Sequence, residues 1–582
     1  MQHEGREIWM VQTKRADFEG LSKKLGVSPV SVRVMRNRGM ETEEEMRRYL
    51  YGTEKDLYDG SLMLDMDLAA GILEEKLKKG APIRVIGDYD IDGVCSTYLL
   101  LRGLKRASLA FCGSEGRIDF VIPDRIADGY GVNIAMIRQA VQDGVDTLVT
   151  CDNGIAASKE LALAKEHGIT VVVTDHHEVP VNENGQVLPP ADAVVDPKRE
   201  GETYPFREIC GAVVVYKLLQ VLYRRAGILE AEWRELLQFA AVATVGDVMK
   251  LQDENRLIVK YGLRQLSRTP NLGLRCLAEK NNLNLEALSA YHIGFVIGPC
   301  LNAGGRLQTA KLALRLLQAG TKEEADRLAE ELKELNDMRK DMTARGEAEA
   351  VRQVEEQYGE DKVLVVFLPE CHESLAGIIA GRVREKFHKP ALVLTKSQEA
   401  EGMAKGSGRS IEQYHMFQGL CEVADLLPKF GGHPMAAGLS IEEKNIEEFR
   451  RRLNENARLT EEDFIPRIWI DVPMPFEYVT EGLIKEFQSL EPFGQGNEKP
   501  LFAQKNLLIR SARVFGRNRN VVKLSLVTET GVPVDGILFG DGDAFLEKQA
   551  GKERMDMVYY PDVNEYNGTR TLQAVIKNYK LS

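Results

Sequence analysis

Residues 83 to 93 read Ile83-Arg84-Val85-Ile86-Gly87-Asp88-Tyr89-Asp90-Ile91-Asp92-Gly93, a short apolar run opening into three alternating carboxylates. The run is rich in β-branched residues and closed by Gly87, which predicts a buried strand, while Val94 to Leu104 has helical apolar spacing. Asp88, Asp90 and Asp92 are thus expected in a strand-to-helix turn, at the strand end where open α/β sheets bind ligands. Alternate residues of an extended segment project to one side, and carboxylates so gathered repel unless a cation neutralises them. Hard divalent ions favour oxygen ligands, so a metal is the natural reason for this turn. An acidic, solvated turn is the plain alternative.

Upstream, residues 1 to 80 predict a helical region. Val27 to Arg38 and Thr42 to Leu50 are short helices about Gly39, Thr42 is an N-cap, and Met66 to Lys79 is amphipathic. Downstream, strands are expected at 83–88, 119–123, 146–152 and 169–175, with helices at 94–104, 132–142 and 157–166, the alternation of βαβ units in a mostly parallel sheet. Two of these strands end as the first does: Thr147 to Cys151 runs into Asp152-Asn153-Gly154, and Thr170 to Thr174 into Asp175-His176-His177. Asp247 adds a further acidic position, after a helix expected from Trp233 to Ala241. Singly, each is a cap or turn residue. Together at one sheet edge they supply oxygen and imidazole ligands for two cations about 3.5 to 4 Å apart.

A chain of 582 residues exceeds the size of single cores and implies several domains. With 44% hydrophobic and 28% charged residues, it is not largely disordered. The net charge of −12 is compatible with nucleic acid, since acidic helices and a carboxylate site lower the total while a local basic groove still binds phosphate. Eight cysteines without CxxC pairing and an amino terminus without a long apolar segment predict a reducing cytoplasm. No run of about 18 apolar residues predicts a membrane span.

From Thr309 the pattern is helical. Thr309 to Ala319 ends at Gly320, Thr321 and Glu324 form a capping box, and Leu328, Leu332, Leu335, Met338 and Met342 share an apolar face. Continued to Tyr358, this helix would be about 55 Å long. Residues 466 to 582 predict five short strands, Leu507 to Val514, Val521 to Val527, Val532 to Phe539, Met555 to Tyr560 and Leu572 to Lys577, an OB-type barrel. Arg510, Arg513, Arg517, Arg519 and Lys523, interleaved with Phe515, have the charge and stacking surface used on single strands.

GDYDIDG at 87–93, CDNG at 151–154, DHH at 175–177 and TVGDV at 244–248 resemble the DHH phosphoesterase superfamily and, within it, the RecJ family of single-strand-specific 5′ to 3′ DNA exonucleases. Further blocks follow that family's order: Pro123-Asp124-Arg125 with Gly129-Tyr130-Gly131, Ile297-Gly298-Pro299 with Leu301 to Arg306, Gly406 to Ser410, Gly431-Gly432-His433, and Pro492 to Asn497. Local departures are Cys300 in place of arginine, Lys250 in place of proline and Cys371 in place of an aromatic residue. The resemblance implies an α/β fold with a parallel-sheet DHH catalytic domain at 81–308, connecting helices at 309–358, a smaller α/β DHH-associated domain at 361–460 facing the metal domain across a cleft, and an OB-fold nucleic-acid-binding domain at 466–582.

It further implies that Asp152 bridges two divalent cations, Mn²⁺ or Mg²⁺, that Asp88, Asp90, Asp92, His176 and Asp247 complete their shells, and that His177 faces the scissile phosphate. Arg125, Arg306, Arg382, Ser407, Arg409 and His433 would line a phosphate groove, glycines letting amides approach and arginines binding in bidentate fashion, while Arg513, Phe515 and Arg517 hold the strand beyond it. The expected substrate is single-stranded DNA in recombination and repair, with a single-strand-binding protein and a helicase as protein partners. Two other classes stay open: a phosphodiesterase for nucleotides or short oligonucleotides, against which the carboxyl-terminal barrel speaks, and a non-catalytic scaffold, against which the intact acidic set speaks.

Overall fold

The computed structural model describes residues 7–125, 128–129, 131–398, 400–566 and 568–582; Tyr130 of the glycine-flanked block and residues 1–6 lie outside them. The described residues form two compact units, one of residues 9–298 and 469–582, the other of residues 299–468 with residues 7 and 8.

In the first unit β1 (Ile83–Ile86), β2 (Ile118–Val121), β3 (Thr147–Cys151), β4 (Thr170–Thr174) and β5 (Ala193–Val195) form a parallel sheet in the order β2-β1-β3-β4-β5. Every residue of β1 and β3 is buried, which is why both read as continuous rather than alternating apolar runs. The order reverses between β1 and β3, so the ligand crevice of such a sheet opens beyond their carboxyl ends. Helix α1 (Ile91–Cys112) starts inside the acidic turn, where the Asp90 side chain accepts from the N–H groups of Asp92 and Gly93. It runs past the charged Lys105-Arg106 pair, which masks the apolar spacing, because Arg106 is held on Glu232 at 2.6 Å while Leu104 and Ala107 stay buried. Helices α2 (Gly211–Arg225) and α3 (Leu237–Gly246) pack on α1. Whereas the spacing predicts a helix from Trp233 to Ala241, α3 continues to Gly246: it is buried on all sides from Leu237 to Thr244, so no polar face signals its extent.

The second unit carries α4 (Lys322–Gln353), capped by Thr321 on the Glu324 N–H and continued by a π-helical turn to Tyr358. Its sheet holds β6 (Leu364–Phe367), β7 (Ala391–Lys396), β8 (Met403–Arg409), β9 (Lys429–His433) and β10 (Ala436–Glu442) in the order β9-β10-β8-β7-β6. The parallel pair β6 and β7 is joined through α5 (Ala376–Phe387), and the other pairings are antiparallel.

Back in the first unit, β11 (Phe502–Phe515), β12 (Val521–Val527), β13 (Pro533–Phe539), β14 (Arg554–Tyr566) and β15 (Thr569–Leu581) follow the order β11-β12-β13-β15-β14, and β14 closes the barrel onto β11. β12 and β13 match their apolar runs to within a residue, whereas β11, β14 and β15 are longer than theirs, since one barrel wall is solvated and its polar residues hide the periodicity. The amino-terminal helices are not a separate layer: Leu25, Val32, Met35 and Met46 share one apolar core with Phe487, Phe502, Leu524 and Tyr559 of the barrel region. Arg38 joins Asp471 at 2.8 Å with both side chains buried, and Arg256 donates to the carbonyls of Ser489 and Glu491.

Candidate metal centre

The carboxyl ends of β1, β3 and β4 and the end of α3 bring all seven sequence-selected acidic and imidazole groups into three overlapping clusters, Asp88-Asp90-Asp152, Asp92-His176-Asp247 and Asp152-His176-His177, with ligand atoms in each within 4.8 Å of one another. His177 belongs to the third cluster alone. His176 Nε2 lies 3.1 Å from Asp152, 3.5 Å from Asp92 and 3.8 Å from Asp247. Asp152 follows β3 in the left-handed region, at φ 59°, where Asp and Asn are the side chains most easily tolerated. Gly211 at the start of α2 abuts it: a Cβ there would stand 2.9 Å from the Asp152 Cβ.

Asp92 behaves differently from its two neighbours. Its two oxygens accept from the N–H groups of Gly211 at 2.7 Å and Ala212 at 2.8 Å, so the positive end of α2 holds this carboxylate in place. Asp247 enters as the C-cap of α3 rather than from a strand, followed by Val248 at φ 57°. Burial, then the charge of Asp90, pushes Asp88 up to about 8; burial, then Asp92, pushes Asp247 up to about 8 and raises Asp90 and Asp152. His176 is lowered by burial.

Three further polar groups at these strand ends are not among the residues that the sequence selects as ligands. Asp175 accepts from the Ile155 and His176 N–H groups and lies 2.8 Å from His177 Nδ1; its only mark was membership of the DHH triplet. Asp196, directly after β5, is wholly buried, has one oxygen without a partner among the described residues, and is pushed up to about 7 by burial and then by the charge of Asp175. It repeats the pattern of a strand followed by an aspartate. Asn153 is buried, and among the described residues neither of its amide atoms has a partner.

Of the phosphate-binding candidates, Arg125 belongs to this unit and stacks on Tyr89, 4.9 Å from its ring centroid, where its charge lowers Asp88. Arg306, Arg382, Ser407, Arg409 and His433 belong to the other unit. There Arg306 donates to the Ser374 carbonyl, Arg409 donates to Ser407 Oγ at 3.1 Å, and Arg409, Ala436 and His433 form one row across β8, β10 and β9. Gly377 leaves room for this pair, since a Cβ would sit 2.9 Å from both Arg409 Nη2 and Ser407 Oγ. Arg382 is exposed on α5, beside Arg339. On the barrel, Arg513, Phe515 and Arg517 are exposed, whereas Arg519 is held on Asp543 at 2.7 Å.

Three family profiles match in chain order: the DHH family, N-terminal domain, over residues 82–244, the DHHA1 domain over 360–458 and the RecJ OB domain over 470–578. The single-stranded-DNA-specific exonuclease RecJ of Bacillus subtilis is 36% identical, the match covering 99% of this chain and 71% of that protein. The Haemophilus influenzae protein of the same name is 32% identical, with coverage of 94% and 95%. The chain belongs to the RecJ family. Thermus thermophilus RecJ in complex with Mn²⁺ matches with a TM-score of 0.82 at 28% identity, covering 99% of this chain and 80% of that one; its Mg²⁺ complex matches with a TM-score of 0.76 at 27% identity.

The acidic turn of this RecJ-family chain fits divalent cations on its own chemistry. Among the described residues Asp88 Oδ1 is buried without a hydrogen-bond partner, and an unpaired buried carboxylate oxygen is costly unless a cation takes it. The donors are carboxylate oxygens and imidazole nitrogens, a set suited to Mn²⁺ and Mg²⁺.

Proposed function

We propose that this chain is a single-strand-specific DNA exonuclease that hydrolyses phosphodiester bonds from the 5′ end with two divalent cations, Mn²⁺ or Mg²⁺, in recombination and repair. The observation that carries this is the unpartnered, buried Asp88 oxygen beside Asp90 and Asp152; the polarity comes from the family resemblance. Asp88, Asp90 and Asp152 would hold one cation, and Asp92, His176 and Asp247 the other, with Asp152 shared through its 3.1 Å approach to His176. Bound there, the cations lower the pKa of a water and neutralise charge on the leaving oxygen.

The protein's own groups do the rest. The α2 amides fix Asp92, and the left-handed backbone fixes Asp152, so the carboxylates are arranged before the cations arrive. His177, charged through its pairing with Asp175, faces the scissile phosphate as an electrostatic partner. Arg125 acts beside Asp88, and Arg306, Arg382, Ser407, Arg409 and His433 bind phosphate, including that of the 5′ terminus. Arg513, Phe515 and Arg517 hold the strand at the barrel by charge and stacking. This function places the protein in the cytoplasm, with a single-strand-binding protein and a helicase as partners; among the described residues no helix is long and apolar enough to cross a membrane.

Degradation of single strands labelled at the 5′ or the 3′ end, with Mg²⁺ or Mn²⁺, tests the proposal. Release of the 5′ label first, and no attack on duplex, is expected. Release of the 3′ label first, or turnover in EDTA, contradicts it. Substituting Arg125, Arg306 and Arg382 singly by alanine should weaken the preference for 5′-phosphate over 5′-hydroxyl ends at one or more of them; an unaltered preference at all three places the terminal phosphate elsewhere.

A further inference from the structure

Beside the metal centre, a helical turn Ala290–His292 passes into a π-helical segment, Ile293–Ile297, a backbone form that concentrates at functional sites. Its inner side is packed: Ile293 and Ile297 are buried, a Cβ on Gly294 would lie 3.6 Å from Val245, and one on the following Gly298 would lie 3.3 Å from Ile91. Val245 stands two residues before Asp247, and Ile91 stands between Asp90 and Asp92. The segment is therefore laid directly on the two elements that deliver three of the acidic groups.

Its outer side carries Tyr291, 63% exposed, and Phe295, 68% exposed, with rings stacked at 4.8 Å between centroids and 26° between planes. Val248, the residue after Asp247, is also two-thirds exposed, in a backbone conformation unfavourable to a β-branched side chain. Large rings normally bury their faces, and none of these three side chains serves the core. We propose that the Tyr291-Phe295 pair is a stacking platform for the bases of the single strand adjoining the phosphate held at the metal centre. This rests on the nuclease function proposed above. The occupant is a nucleobase rather than a protein side chain because the segment that carries the rings is packed on Val245 and Ile91, next to the residues that must hold the polymer's phosphate, and any strand bound there carries flat π faces. Stacking on exposed aromatic rings also tolerates every base, as an exonuclease requires.

The test compares the wild type with Phe295→Ala, Tyr291→Ala/Phe295→Ala and Phe295→Trp on three substrates: a thymidine 20-mer, the same strand with reduced abasic residues at its first positions, and bis(p-nitrophenyl) phosphate, which has no base. In the double variant KM for the 20-mer should rise about 10- to 100-fold, with kcat changed less than about twofold and kcat/KM for the baseless diester unchanged. Phe295→Trp, which keeps an aromatic face, should retain the wild-type KM, and the abasic strand should erase the difference between wild type and double variant. An unchanged KM on the 20-mer, or a difference that persists on the abasic strand, overturns the platform. Equal loss on the baseless diester also overturns it, since the rings would then be supporting the centre rather than the strand. A wild type that cleaves the diester but not DNA overturns the nuclease function and the platform with it.

Discussion

His177 Nδ1 lies 2.8 Å from Asp175 Oδ1, pairing a partly exposed imidazole with a wholly buried carboxylate. Asp175 is itself pinned by the N–H groups of Ile155 and His176. Burial opposes the charged ring, yet the hydrogen bond and charge of Asp175 outweigh it and push His177 up to about 9. A raised histidine pKa means that the charged form is present below that value and lost as pH rises through it. His177→Ala should lower kcat/KM on single-stranded DNA by about 10²- to 10³-fold. The wild-type pH profile should fall on its alkaline side near 9, and Asp175→Asn should move that fall to lower pH. A limb that ignores Asp175→Asn would remove His177 from the phosphate.

Asp152 couples conformation and charge, and its asparagine variant separates them. Asn keeps the left-handed backbone at φ 59° without strain, whereas alanine there costs about 1 to 2 kcal/mol. Asp152→Asn should therefore abolish hydrolysis while leaving the metal-free melting temperature at or above that of the wild type, because one member of a repelling buried carboxylate group is gone. A large fall in metal-free stability would mean that Asp152 is structural.

The same repulsion makes metal-free stability depend on pH. Asp88 and Asp247 are pushed up to about 8, well above an unfolded aspartate. The folded state then binds protons more tightly than the unfolded state, so the stability these groups contribute is full at low pH and is lost as pH rises from about 4 through about 8. In EDTA the melting temperature should decline from pH 6 to pH 9, and the gain on adding Mn²⁺ should grow over the same interval, because ligands must be deprotonated to bind. Scanning calorimetry with and without Mn²⁺ reads both, and a metal-induced gain that shrinks with pH would contradict the assigned ligands.

The barrel is joined to the rest of its unit by core packing and by the buried Arg38-Asp471 pair. Removing one partner strands the other charge, so Arg38→Ala should cost about 3 to 5 kcal/mol in chemical denaturation. A loss below about 1 kcal/mol, the level of a surface pair, would show that solvent reaches Asp471. Deleting residues 466 to 582 would likewise expose the shared core, so loss of activity on dinucleotides and long DNA alike is expected from that truncation.

Surface substitutions on the barrel avoid this difficulty. Arg513 and Arg517 are exposed, and each phosphate contact on a single strand contributes about 0.7 to the double-logarithmic salt slope. The double alanine variant should flatten that slope by about 1.4 in a salt titration of DNA binding, and Phe515→Ala should weaken binding without altering it. An unchanged slope in the arginine variant would place the strand on another face.

The acidic turn, the DHH triplet, the βαβ alternation and the Thr42 and Thr321 helix caps are legible in the chain because each is set by neighbours in sequence: a β-branched run, a glycine stop, a hydroxyl three residues before a glutamate. What α3 does could not be read in this way. Its apolar surface has no periodicity, so its end at Gly246, and with it the delivery of Asp247 from a helix, follows from packing against α1 and α2. The anchoring of Asp92 comes from the Gly211 and Ala212 amides 119 and 120 residues away. The union of the amino-terminal helices with the barrel depends on Leu25, Val32 and Met35 meeting Phe502 and Tyr559. Local spacing determines which side chains leave a strand end together; burial, charge state and the sharing of a core depend on groups distant in sequence, and only the folded chain brings those within reach.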